Sequence, residues 1–193
     1  MIADGKRGDV PVSAAAYADA LFGSTPTPWG EVEGLGADAA TLNPLLGADS
    51  LEPFVERAAA SGAGIFALVR TSNPGAADVL DLETDGSPLH ERLAAIVAAL
   101  ADRLPGSGDL SGAGAVVGAT EPRYLARLRA LMPRAVLLLP GVGAQGGAVE
   151  ALGAAWTSPA AALVTASRSV AGSDDPGAAA EDLRAAVWSV ASA

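Results

Sequence analysis

The stretch "LLLPGVGAQGG" (137–147) joins an apolar run to a glycine-rich loop, and its place in the chain decides the fold. Residues 141–146 fit G-x-G-x-x-G, a pattern whose glycines let a backbone approach phosphate oxygens between a strand and a helix. In an open dinucleotide-binding sheet that motif follows the first strand, with an acid about 20 residues later. Here it follows the fifth of six strand-like runs, and residues 160–170 hold no acid. They hold "SRSV" (167–170) instead, which places Arg168 at the end of the final run. A (β/α)8 barrel keeps its phosphate site in the loops after strands 7 and 8. With two units absent at the front, the last two loops of this chain take those positions. The backbone around Gly141, Gly143, Gly146 and Gly147 would then cradle a phosphate at a helix start, with Gln145 and Arg168 closing over it. The competing reading is a glycine turn with no ligand.

Outward from that loop, short apolar runs alternate with amphipathic stretches. Strands are predicted at 1–4, 37–43, 64–71, 114–120, 135–140 and 161–167. Helices are predicted at 10–22, 50–62 (closed by Gly62), 88–104, 122–132, 147–155 and 176–192. The clearest helix, "PLHERLAAIVAALADRL", is apolar at 89, 93, 96, 97 and 100. These make six βα units of about 30 residues each. Continuous apolar strands of this kind belong to parallel sheets covered by helices. The segments 23–36 and 105–112, rich in Gly, Pro, Ser and Thr, read as loops. The expectation is an α/β chain of the TIM-barrel class, a single incomplete domain over 1–193 that supplies about six of eight units.

Composition narrows the chemistry. The chain has no cysteine, which excludes disulfides, thiolate metal sites and cysteine nucleophiles, and its one histidine, His90, excludes multi-histidine metal clusters. A net charge of −10 argues against a nucleic-acid partner, which needs a basic face. The longest uncharged run, Ala151–Ser167, is too polar and too short for a membrane span. The first residues lack the apolar segment of a signal peptide, since Asp4 and Lys6 arrive at once, and the expected location is cytoplasmic.

The densest charged cluster is "MIADGKRGDV" (1–10). Lys6 is the only lysine beside eleven arginines. That suggests a task a guanidinium cannot perform, such as giving up a proton, although chance leaves an occasional lysine in an arginine-biased chain. On a strand, residues i and i+2 face the same way, so Asp4 and Lys6 are expected to point together, with Asp9 returning from the next helix to flank the lysine. A carboxylate beside a substrate carboxylate would oppose its charge. An ammonium beside the same carbon would stabilise a carbanion and then protonate it. The bland alternative is a surface salt-bridge cluster.

At this point several motifs in order resemble one family. "ADGKRGD" with D-x-K-x-x-D at Asp4, Lys6 and Asp9, "VRTSNPGA" (69–76), "GAVVGAT" (114–120), "LLLPGVGAQGG" and "SRSV" resemble the orotidine 5′-phosphate decarboxylase family, in its bacterial T-S-N-P-G form. The resemblance covers essentially the whole chain. It implies decarboxylation of OMP to UMP and CO2 without metal or cofactor. It implies that Asp4 stresses the substrate carboxylate and that Lys6 donates the proton to C6 of the pyrimidine. Asp9, and more loosely Ser13, would be offered to the neighbouring subunit of a homodimer. Ser72 would read the pyrimidine edge. Pro140, Gly141, Gly143, Gln145, Gly146, Gly147 and Arg168 would hold the phosphate, with Ser167 standing where many members have glycine. The family's first two strands, bearing a ribose-binding aspartate and a second catalytic lysine, are not represented here. The chain alone is therefore expected to have little or no activity, and an open barrel edge to make it prone to associate.

Two other readings remain. Related sugar-phosphate decarboxylases and aldolases share D-x-K-x-x-D but use Mg2+, and a non-catalytic phosphate-binding remnant would bind UMP without turnover. The other conspicuous residues read as structural: His90 as a solvated helix residue, Trp29, Trp156 and Trp188 as packing residues, and Asp174–Asp175 as the start of the last helix.

Overall fold

Six parallel strands form one curled sheet in the computed structural model, which describes residues 1–106 and 108–193. They are β1 (Ile2–Arg7), β2 (Ala39–Leu42), β3 (Gly64–Arg70), β4 (Ser111–Val117), β5 (Ala135–Pro140) and β6 (Ala162–Thr165), and they are ordered as in the sequence. The helices are α1 (Pro11–Phe22), α2 (Glu52–Ser61), α3 (Leu89–Ala99), α4 (Leu125–Leu131) and α5 (Pro176–Ala191), with a 3-10 segment Val149–Ala155 between β5 and β6.

Side-chain alternation along the strands separates two apolar layers. The outward residues, among them Leu42, Ile65, Val69, Val117, Leu137 and Leu139, join Phe54, Leu93, Leu125 and Leu128 of the helices in the main core. The inward residues Ala39, Phe66, Val116 and Leu138 pack on one another and on Ile2, Leu68 and Val136, with no helix among them. Helices on one face only, with strands lining the other, make a part of a barrel rather than a doubly wound sheet. Gly114 gives Phe66 room on the inner face: a Cβ there would lie 2.6 Å from the Phe66 ring.

Local chemistry sets most boundaries where the sequence put them. Gly62 closes α2 in the left-handed region at φ 72, with its N–H on the Ala58 carbonyl. Asp175 caps α5 by accepting from the Ala178 amide at 3.0 Å, one residue before Pro176.

Several expectations are corrected. The segment 23–36 is not a plain loop: Ser24–Thr27 pairs antiparallel with Gly30–Glu33. Its two-residue turn leaves Trp29 at the tip, 93% exposed, so that residue packs on nothing. Trp188 is exposed as well, and only Trp156 packs on the main core. β4 begins three residues earlier than predicted, at Ser111, because glycines allow close strand approach there; a Cβ on Gly64 would lie 2.9 Å from the Gly112 carbonyl. Within the loop expected at 105–112, residue 107 lies outside the described residues. α3 stops at Ala99, and the chain then turns toward Pro105. His90 is buried rather than solvated, because the turn after Leu80 and the ring of Tyr124 cover it. Among the described residues no helix is long and apolar enough to cross a membrane.

Candidate active site

A cavity of about 730 Å3 opens at the carboxyl ends of the strands, where barrels gather functional side chains. Leu68, Val116 and Leu138 line it from the sheet, and Asp4, Lys6, Ser72, Pro140, Gln145, Thr165 and Ser167 line it as well.

Asp4 and Lys6 meet at 2.6 Å, Nζ to Oδ1. Strict strand alternation is not what brings them together. The β1–β2 ladder pairs Ala3 with Ala40 and next Arg7 with Leu42, so β1 spends two extra residues there. Lys6 stands at φ 48, a left-handed conformation costing a non-glycine residue roughly 1–2 kcal/mol. Thr41 of β2 anchors this bulge. Its hydroxyl accepts from the Lys6 amide at 2.9 Å and donates to Asp4 Oδ1 at 2.9 Å. The Lys6 hydrogen bond holds the Asp4 carboxyl below its ordinary 3.8; partial burial opposes that, and the Thr41 hydroxyl and the lysine charge add to it. Asp4 thus stays ionised beside an ammonium at neutral pH.

Ser72 and Gln145, 73 residues apart, join in a hydrogen bond of 2.9 Å from Oγ to Oε1. The glycine loop beside them is self-braced. Gly141, Gly143 and Gly146 take φ of 106, 73 and 90. Gly143 donates to the Gly147 carbonyl, Gly146 to Gly143, and Gly147 to Gly141. Those three amides are committed within the loop, and the segment that follows is 3-10 rather than α-helical. The expected cradle of free amides at a helix start is therefore narrower than the sequence suggested. Gly143 lies against Ser169, whose Oγ would be 3.1 Å from an added Cβ, so the loops after β5 and β6 touch.

Seven expected residues stand apart from the cavity lining: Gly141, Gly143, Gly146 and Gly147 of the braced loop, and Asp9, Ser13 and Arg168. Asp9 accepts from the Val10 amide at 2.7 Å, at the start of α1, and does not pair with Lys6. Ser13 lies half-buried in the first turn of α1. Arg168 opens a one-turn helix (Arg168–Ala171) instead of ending β6, since β6 stops at Thr165. Its side chain is exposed and, among the described residues, makes no ion pair. Sequence reasoning missed Thr41, whose signal was a lone polar residue in an apolar strand. It also missed Arg70, an arginine ending a buried strand.

The family model for "Orotidine 5'-phosphate decarboxylase / HUMPS family" matches residues 1–183. The chain belongs to this family. It is 46% identical over 175 residues to an orotidine 5′-phosphate decarboxylase of Rhodopirellula baltica, an alignment covering 88% of this chain and 56% of that one. It is 47% identical over 172 residues to an orotidine 5′-phosphate decarboxylase of Deinococcus radiodurans, covering 88% and 58%. The solved OMP decarboxylase of Leishmania donovani superposes with a TM-score of 0.79 at 32% identity, covering 100% of this chain and 68% of that one. The six-stranded sheet is thus part of this family's barrel, and the chain spans little more than half the length of the two bacterial relatives.

Proposed function

We propose that this chain carries most of the active site of an orotidine 5′-phosphate decarboxylase, which converts OMP to UMP and CO2 in cytoplasmic pyrimidine synthesis. The observation that carries the reading is the Asp4–Lys6 pair on the wall of a cavity whose other side holds Gln145 and borders the glycine loop. A volume of about 730 Å3 lies within the usual range for small-molecule sites.

In this reading the phosphate rests near Gln145, the edge of the glycine loop and Arg168, and the base reaches Ser72. The substrate carboxylate then lies against Asp4, whose charge persists because the Lys6 hydrogen bond depresses its pKa. Repulsion between the two carboxylates weakens as CO2 departs, so it is felt in the ground state and relieved on the way to the product. The electron pair of the breaking bond stays on C6, where the Lys6 ammonium stabilises it and supplies the proton. No step draws on a metal or cofactor. Asp9 and Ser13, outside the lining of their own cavity, fit the role of residues lent to a second subunit in a homodimer.

Calorimetric titration of the 193-residue chain with UMP tests the proposal, beside an absorbance assay on OMP. The expected result is UMP binding with little or no turnover, and turnover on adding the relatives' amino-terminal segment. Absence of UMP binding would refute the reading. Binding that depends on Mg2+, with activity on a sugar phosphate, would move it to the other branch of the family.

A further inference from the structure

Behind the loop that carries Ser72 lies a buried polar network that the reaction outlined above does not use. Arg70, the last residue of β3, is 3% exposed. Its Nε and Nη2 donate to the two oxygens of Asp81, at 2.7 and 3.0 Å. Its remaining arm, Nη1, donates to the carbonyl of Thr71 at 2.7 Å. Asp81 is fixed in turn. The Tyr124 hydroxyl donates to its Oδ2 at 3.0 Å, and His90 Nδ1 lies 3.3 Å from its Oδ1 while donating to the Leu80 carbonyl at 2.8 Å. The Tyr124 ring lies beneath the Arg70 guanidinium at 5.2 Å and tilts against His90 at 4.8 Å.

Stability alone explains such a network poorly. An ion pair this far from water, with Arg70 buried and the Asp81 side chain 23% exposed, is often no better than apolar residues of the same volume. What a guanidinium adds is a rigid fork with three directions at once. Here two directions are locked on Asp81, which aims the third at the peptide preceding Ser72. The following peptide is held from the other side, where Thr120 Oγ1 donates to the Ser72 carbonyl at 3.0 Å. Gly118 closes the remaining space, since a Cβ there would lie 2.6 Å from Ser72 Cα. With the peptides on both sides fixed, the Ser72 hydroxyl is left to face Gln145 and the cavity.

We propose that Arg70, held by Asp81 and Tyr124, is a positioning residue that sets Ser72 for recognition of the pyrimidine base. This rests on the reading of the cavity given under the proposed function. Titration of the full chain with UMP and, separately, with ribose 5-phosphate tests it, because only UMP has a base for Ser72 to read. Arg70→Met is expected to weaken UMP roughly tenfold, the worth of one well-placed hydrogen bond, and ribose 5-phosphate by less than about twofold. Ser72→Ala should weaken UMP similarly and add little in the Arg70→Met background. Equal weakening of both ligands, or full additivity with Ser72→Ala, would overturn the proposal.

Tyr124→Phe, which removes only one hydrogen bond from Asp81, serves if Arg70→Met does not fold. It should weaken UMP by roughly two- to threefold and spare ribose 5-phosphate, and no change would count against the proposal. If the unmodified chain binds neither ligand, it is the reading of the cavity that fails. Backbone order parameters of Thr71–Asn73 by NMR then decide the positioning: lower values in Tyr124→Phe support it, and unchanged values overturn it.

Discussion

Thr41 does two jobs for the opening cluster from one hydroxyl. It satisfies the amide that the β1 bulge strands at Lys6, and it donates to the Asp4 oxygen that Lys6 also holds. Thr41→Val keeps the shape of the side chain and removes both bonds. It leaves the Lys6 amide to water or to nothing and leaves Asp4 with Lys6 alone, at a cost of about 1–2 kcal/mol in urea denaturation. The Asp4 carboxyl should also titrate closer to its ordinary 3.8, though still below it, because the Lys6 hydrogen bond is the larger cause and remains. Carboxyl 13C shifts against pH would show this. The sign for stability follows from linkage. A depressed carboxylate pKa stabilises the fold above 3.8 and loses that contribution as pH falls through the depressed value. With both side chains about half exposed or more, the contribution is small in either protein. An Asp4 pKa unchanged by Thr41→Val would show that the hydroxyl does not reach it in solution.

Among the elements, the units that frame the glycine loop are tied together from below by Arg129 of α4. Buried and, among the described residues, without a carboxylate partner, it donates five hydrogen bonds to four backbone carbonyls: Ala155 at 3.0 and 2.6 Å, Met132 at 3.0 Å, Ala135 at 2.6 Å and Ala161 at 2.9 Å. These carbonyls end the 3-10 segment, follow α4, begin β5 and precede β6. Burial draws the Arg129 pKa down to about 10, which leaves it charged at neutral pH. Arg129→Met removes all five bonds; the Met132 and Ala161 carbonyls keep the amides of Ala135 and Leu137, and the loss at Ala155 and Ala135 is expected to cost about 2–5 kcal/mol, with an unchanged denaturant slope. Arg129→Lys should recover little, since an ammonium cannot fork to four carbonyls. The helical period puts Arg129 on the face of Leu125, Leu128 and Met132 and leaves Arg127 off it, exposed and paired with Glu91, but the carbonyls that receive Arg129 lie on segments that period does not show. The same limit governs the other misreadings. The apolar period of α3 placed His90 at the margin of its face, and only the turn after Leu80 and Tyr124, both distant in sequence, bury it. Strands β3 and β5 were legible because they are continuous and apolar, whereas the start of β4 was hidden by the glycines its neighbours require. The cavity was legible where a motif fixed both residue and loop, as at Ser72 and Gln145. Lys6 reached the cavity as expected but through a bulge rather than strand alternation, and Arg168 was not legible, because a one-turn helix resets its direction.

At the scale of the molecule, β1 and β6 each have a sheet neighbour on one side only among the described residues. Between them the inner face presents Leu163, 43% exposed, beside the floor of Leu68, Val116 and Leu138. Parallel strands are normally covered on both faces. An open pair of edges beside apolar surface is therefore a template for strand addition from another chain. The 193-residue chain is expected to associate, with a mass by light scattering that rises with concentration. Leu163→Lys places a charge on the inner face of an edge strand, where a docking strand would have to bury it. Denying a leucine-sized contact worth about 1.5–3 kcal/mol should raise the concentration for association by tenfold or more. Trp188→Lys is the control, since Trp188 is exposed on α5, in the helical layer rather than on the inner face of the sheet. If Trp188→Lys suppresses association as strongly as Leu163→Lys, the contact lies on the helical surface rather than at the open edges. If only Leu163→Lys does so, the exposed inner face of the sheet drives it.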